Sequence, residues 1–185
     1  MNPRLKVLIA AVALASGISA NVLTESAEFI EDFECMVTTA YPDPANPNIP
    51  TICMGETQDV NFGDKYTEEQ CWEMLVKRLP DYILPINKLL PDLPENRQIA
   101  YASATWNLGT GLMTWRTKRC VQKDLFGNCT KKVEIPGTSI VDLERAGNTQ
   151  AACDRLLLFD KAGGKVLNGL TIRRKKERKI CLGEP

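Results

Sequence analysis

Residues 34–57 read ECMVTTAYPDPANPNIPTICMGET. The stretch begins with a carboxylate, Glu34, at the end of an apolar-striped segment. A second carboxylate, Asp43, follows nine residues later, directly after Tyr41-Pro42. Pro44, Pro47 and Pro50 forbid a helix between them, because proline lacks the N–H that a helix interior needs. Thr51-Ile52-Cys53 then has the composition of a short strand, ended by a turn at Gly55. The expected result is a small β-hairpin or irregular three-stranded sheet facing a helix end, with Asp43 and Thr51 on its lip. Two carboxylates on opposite sides of such a notch suit acid–base chemistry.

Working outward, residues 24–37 are expected to form one helix. Phe29, Ile30, Phe33, Met36 and Val37 fall on a single stripe, while Glu28, Glu31 and Asp32 face away. Glu34 lies beside the stripe near the helix C-terminus, a setting that suits a general acid but also fits an ordinary surface glutamate. Further back, Arg4 and Lys6 precede Val7–Leu23, 17 residues without a charge. A basic flank, an apolar run and a polar exit address the chain to the export machinery. The run is short for a span and rich in Ala, Gly and Ser. It reads either as a cleaved signal peptide, with Gly17 and Ser19 near the cleavage site, or as an uncleaved signal-anchor that can leave the bilayer.

Composition narrows the chemistry. The 185 residues are 44% hydrophobic and 25% charged, as in one globular domain with a real core. Lys plus Arg and Asp plus Glu both number 23, so no global field argues for nucleic acid. The chain has no histidine, which removes Ser-His and Cys-His nucleophile pairs and His-ligated zinc. No metal or cofactor is called for. The seven cysteines include no CxxC pair, and with an export-like N-terminus they fit disulfides in an oxidising compartment rather than reduced cytosolic thiols. An odd number leaves at least one thiol over.

The pattern in residues 34–57 resembles the phage-type lysozymes. Glu34, Tyr41 and Asp43 fall at that family's spacing, and Thr51-Ile52-Cys53-Met54-Gly55-Glu56-Thr57 matches its second motif. Trp106-Asn107-Leu108-Gly109, Ala162-Gly163-Gly164 and the run from Gly169-Leu170 through Arg173-Arg174, Glu177-Arg178 and Cys181 follow in the family's order. The likeness extends to phage endolysins with an N-terminal signal-arrest-release segment, which favours the uncleaved reading of residues 7–23. Two departures stand out. Cys35 replaces the glycine that usually follows the glutamate, and the Asp43–Thr51 loop is two residues longer than usual.

The resemblance implies an α+β, mainly helical, two-lobed lysozyme-like fold with a small β-hairpin lobe and a helical lobe, preceded by a signal-anchor helix. Residues 1–23 would be the signal-anchor and 24–185 the catalytic domain. It implies a muramidase that hydrolyses the β-1,4 bond between N-acetylmuramic acid and N-acetylglucosamine in peptidoglycan, exported to the host periplasm as a monomer, tethered at first to the inner membrane and then released. Glu34 would protonate the glycosidic oxygen. Asp43 would activate water or stabilise the positive charge, with Thr51 placing that water. Arg173 or Arg174 should turn inward to pair with an acid. A lytic transglycosylase, a non-catalytic murein-binding module and a small membrane protein are the rival readings.

The remaining chain reads as short helices and turns. Thr67-Glu68-Glu69-Gln70 is a capping box opening a helix that Pro80 should stop. Pro94 and Gly109 bracket a central helix. Residues 110–137 are irregular and basic, a surface for anionic murein or lipid or simply a solvated loop. Ser139 and Thr149 open short helices, and the last helix is expected over 170–181. Cysteine pairing is not deducible from spacing. The expected set is Cys53–Cys71, Cys120–Cys129 and Cys153–Cys181, with Cys35 left as a possible regulatory thiol able to pair temporarily with Cys53.

Overall fold

The computed structural model describes residues 3–44 and 46–185. In chain order the elements are α1 (Pro3–Ser16), α2 (Ala20–Glu31), β1 (Val37–Pro42), β2 (Pro50–Cys53), α3 (Glu68–Leu89) and α4 (Glu95–Leu108). There follow a 3-10 turn (Thr110–Thr114), β3 (Lys118–Lys123), β4 (Cys129–Glu134), α5 (Ile140–Arg145), α6 (Thr149–Asp154), a second 3-10 turn (Arg155–Leu158), β5 (Lys161–Ala162), β6 (Lys165–Val166) and α7 (Asn168–Leu182). The strands form three separate antiparallel pairs, β1-β2, β3-β4 and β5-β6.

α4 is the shared wall. Ile99 and Ala102 belong to a core built with α1, α2, β2 and α3. Ala100, Tyr101 and Ala104 face a second core with Ile86, Leu112, Met113, Ile140, Val141 and Leu156. Its start and stop are local, with Pro94 as N-cap and Gly109 (φ +80) as C-cap. The capping boxes at Thr67 and Ser139 are both closed, by Gln70 and Asp142.

Two expectations need correction. The first helix after the apolar run spans Ala20–Glu31 rather than 24–37, because Ser19 caps its start and the chain turns at Asp32. Its buried face is Val22, Leu23, Ser26, Ala27 and Ile30, while Val37 starts a strand opposite Cys53. Phe29 and Phe33 stay half-buried, their rings 5.2 Å apart.

Pro80 does not stop α3, which continues through both Pro80 and Pro85. An internal proline costs a helix about 3 kcal/mol. Leu75, Val76, Leu79, Ile83 and Ile86 are all buried on one face, each contributing about 1.5–3 kcal/mol, so burial outweighs the two breaks.

The apolar run is not one helix here. It is split at Gly17, whose φ of +71 takes the left-handed conformation that ends α1. Leu5, Ile9, Ile18, Val22 and Leu23 are buried in the first core, with α1 packed on α3. No helix among the described residues is long and apolar enough to cross a membrane.

Candidate active site

Glu34 stands on the turn that leaves α2, its backbone N–H still donating to the Ile30 carbonyl at 3.0 Å. Its side chain is about one-quarter exposed, and Oε1 accepts from Arg173 Nη1 at 2.5 Å. Arg173, on α7, is buried. Its Nε donates to Glu177 Oε1 at 3.2 Å, and its Nη2 to the Ser103 carbonyl and hydroxyl, both at 3.2 Å. Ser103 Oγ, on α4, donates to Glu177 Oε1 at 2.8 Å. Glu34 is thereby tied through Arg173 to the middle of α4.

Arg174 also turns inward, but to other partners: Nη2 donates to Glu177 Oε1 at 2.8 Å and to Asn107 Oδ1 at 3.3 Å. Burial pushes the Arg174 guanidinium down to about 10, against the pull of Glu177, and leaves it charged at neutral pH. Burial pushes the Glu177 carboxyl up, opposed by the two guanidiniums. Phe33 roofs this network, with the Arg173 guanidinium 5.4 Å and Lys176 Nζ 4.9 Å from its ring centroid.

Asp43 sits just past β1. Its backbone N–H donates to the Ile49 carbonyl at 2.9 Å, and its Oδ1 accepts from the Asn46 N–H at 2.8 Å, so the proline-rich loop closes on it. Thr51 pairs opposite Tyr41 in the ribbon and is buried, and its Oγ1 has no hydrogen-bond partner among the described residues. Burial first, then the charges of Asp43, Glu34 and Cys35, push the Tyr41 phenol up from the ordinary value. Cys35 is exposed and unbridged.

The ribbon is fastened to the helices at several points. Cys53 is bonded to Cys71 of α3, and Trp106 Nε1 of α4 donates to the Met54 carbonyl at 3.2 Å. Glu56 of the second motif accepts from the Thr57 and Gln58 N–H groups and, at 2.8 Å, from Arg78 Nε, which makes it a structural carboxylate of the turn. Cys120–Cys129 and Cys153–Cys181 are also bridged.

The structure thus ties Glu34 to Arg173, sets Asp43 just past β1 and pairs Thr51 with Tyr41 in the ribbon. Sequence reading missed the parts played by Ser103 and Phe33, and it quoted Glu177 only as a motif position. A small polar residue mid-helix, such as Ser103, was the available signal.

Residues 31–177, more than half of the chain, match the phage lysozyme family. The chain belongs to the phage lysozyme family. It is a glycosidase, with the muramidase activity of a phage endolysin. The SAR-endolysin of Enterobacteria phage P21 is 30% identical over 185 residues, 98% of each chain. That of Haemophilus phage HP1 is 47% identical over 166 residues, 88% of this chain and 82% of the relative. Among solved structures, the active form of the P1 phage endolysin Lyz superposes with a TM-score of 0.68 at 27% identity, covering 95% of this chain and 93% of that one.

Proposed function

We propose that Glu34 is the general acid and Asp43 the water-directing carboxylate of a muramidase cutting the β-1,4 bond between N-acetylmuramic acid and N-acetylglucosamine in peptidoglycan. The observation that carries this is the Arg173–Glu34 contact. Arg173 is itself held by Glu177 and Ser103, so it fixes Oε1 and leaves Oε2 to carry the proton to the glycosidic oxygen. Asp43, ionised, orients the attacking water on the opposite face of the sugar. The Thr51 hydroxyl, without a hydrogen-bond partner among the described residues, is a ready second partner for that water. Attack from the face opposite the leaving group gives inversion.

Residues 1–23 would serve as an anchor in the inner membrane after export and would then leave the bilayer with the rest of the chain, which is released uncut to the periplasm as a monomer with 24–185 as its catalytic domain. Support comes from the signal-arrest-release endolysins among the relatives and from the run's composition. The same side chains that would face lipid are those packed in the first core. Cys35, beside the acid, would be a thiol able to delay activity by exchange with the Cys53–Cys71 bridge, its Sγ bonding Cys53 while the Cys53–Cys71 bond breaks and Cys71 leaves as the thiol.

The test is release of reducing ends from purified murein by the intact chain beside Glu34→Gln and Asp43→Asn. Loss of at least about 100-fold in Glu34→Gln, with an unchanged melting temperature, supports the assignment. Full activity in that variant, or anhydro-muramic ends among the products, sinks it.

A further inference from the structure

β3 and β4 form an exposed arm that projects from the body. Every residue of β3 is exposed, as is every residue of β4 except the half-buried Val133. A two-stranded hairpin is marginal on its own, and this one is stapled by Cys120–Cys129. Its root is seated firmly. Arg116 donates from Nε and Nη2 to the two Asp142 oxygens at 2.8 and 3.0 Å, and Arg155 Nη1 donates to Thr117 Oγ1 at 2.8 Å. The arm is therefore a fixed projection.

Its tip is apolar. Leu125 is fully exposed and Phe126 is 88% exposed, the two most exposed large hydrophobic side chains of the arm. The turn beneath them satisfies itself. Asp124 N–H donates to the Asn128 carbonyl, and Gly127 N–H to the Asp124 carbonyl. The Asp124 carboxylate accepts from the Phe126 and Asn128 N–H groups and from Asn128 Nδ2. Such a tip can leave water without stranding those N–H groups, the usual obstacle to placing irregular backbone in a low-dielectric phase.

Behind the tip lies a cationic collar. Arg119, Lys123, Lys131 and Lys132 form no ion pair among the described residues, while Lys118 and Arg116 share Glu134. Apolar tip and unpaired cations together match an interface with anionic headgroups outside and acyl chains within. A glycan strand would complement the charge but has no phase to receive Leu125.

From this juxtaposition we infer that the β3–β4 arm docks the protein on anionic phospholipid bilayers, Leu125 and Phe126 entering the interface and the four cations resting on the headgroups. The arm is separate from residues 7–23 and from the catalytic groups.

The test uses the full chain and sedimentation with vesicles of phosphatidylcholine alone or with one-quarter phosphatidylglycerol. Wild type is expected to prefer the anionic vesicles and to release as salt rises. Leu125→Ser/Phe126→Ser and Lys123→Glu/Lys131→Glu should each weaken binding by about tenfold or more, with hydrolysis of murein fragments unchanged. Phe126→Trp should give a blue-shifted emission on anionic vesicles only. Binding by both double variants equal to wild type would assign membrane affinity to another segment and overturn the inference. Loss of binding to isolated sacculi with vesicle binding intact would overturn it in favour of murein.

Discussion

Arg173 Nη1 donates to Glu34 Oε1 across 2.5 Å although 139 residues separate the two in the chain. The same guanidinium serves Glu177 and Ser103, a load that a lysine ammonium cannot carry in one plane. Arg173→Lys is expected to lower kcat about 100-fold with a smaller change in KM. Arg173→Met leaves the buried Glu177 with only Arg174 as a cationic partner and should cost about 3 kcal/mol of stability. Steady-state kinetics on soluble murein fragments and thermal melts check both.

Thr51→Val separates catalysis from stability. The hydroxyl is buried and has no hydrogen-bond partner among the described residues, so an isosteric methyl loses no bond seen in the fold. Stability should stay level or rise by about 1 kcal/mol, while hydrolysis falls if the hydroxyl positions water. A fall in both would show that Thr51 is a structural residue instead.

A chain starting at Thr24 should not hold the fold. It lacks Leu5, Ile9, Ile18, Val22 and Leu23, all buried. At about 1.5–3 kcal/mol each, their loss is comparable to the whole stability of an ordinary domain, about 5–15 kcal/mol. Circular dichroism of the shortened chain should show a collapsed or absent melt. A cooperative melt near that of the full chain would mean that α1 is dispensable.

The pH profile of stability has two edges with different owners. Hydrogen bonds from Arg116 and Ser139 hold the Asp142 carboxyl below the usual carboxylate range. A depressed carboxylate stabilises above its unfolded value, about 3.9, and that contribution disappears as pH falls further. Burial and the hydrogen bond to Glu144 push the Tyr101 phenol far up. Its contribution is complete below about pH 10 and is lost above it. Melting temperatures from pH 2 to 11 should fall at both ends, with Asp142→Asn flattening the acid edge and Tyr101→Phe the alkaline one.

Removing the bridge between ribbon and helix should be felt globally. Cys53→Ser/Cys71→Ser opens a bridge with a sequence separation of 18 and is expected to cost about 3 kcal/mol. Cys120→Ser/Cys129→Ser touches only the exposed arm and should leave the melt of the body nearly unchanged. Equal losses from the two would mean that the arm is part of the cooperative unit.

Features decided within a few residues were legible in the sequence. The capping box at Thr67, the helix start at Ser139, the Pro94 and Gly109 boundaries and the strand at Thr51 each depend on their own neighbours. What escaped depends on distant packing. Nothing near Pro80 says that Leu79 and Ile83 have a core to enter, so the helix looked finished there. Glu177 and Ser103 meet only because α7 lies along α4, and neither announces the other. The Val7–Leu23 run is apolar enough to seek lipid or a protein core, and composition alone does not choose the solvent.

α4 walls both cores, and the two carboxylates proposed for catalysis are held to it unequally. Glu34 reaches it through the buried Arg173 and Ser103, whereas Asp43 hangs on a two-stranded ribbon fastened at Met54 and Cys53. The consequence is an asymmetric jaw. On the roles proposed for Glu34 and Asp43, entry of a glycan strand would leave the proton donor in place, and adjustment would fall to the side that holds the water, where the longer proline-rich loop lies. Variation in that loop would then tune which murein chemistries the enzyme admits without disturbing the acid that cuts them.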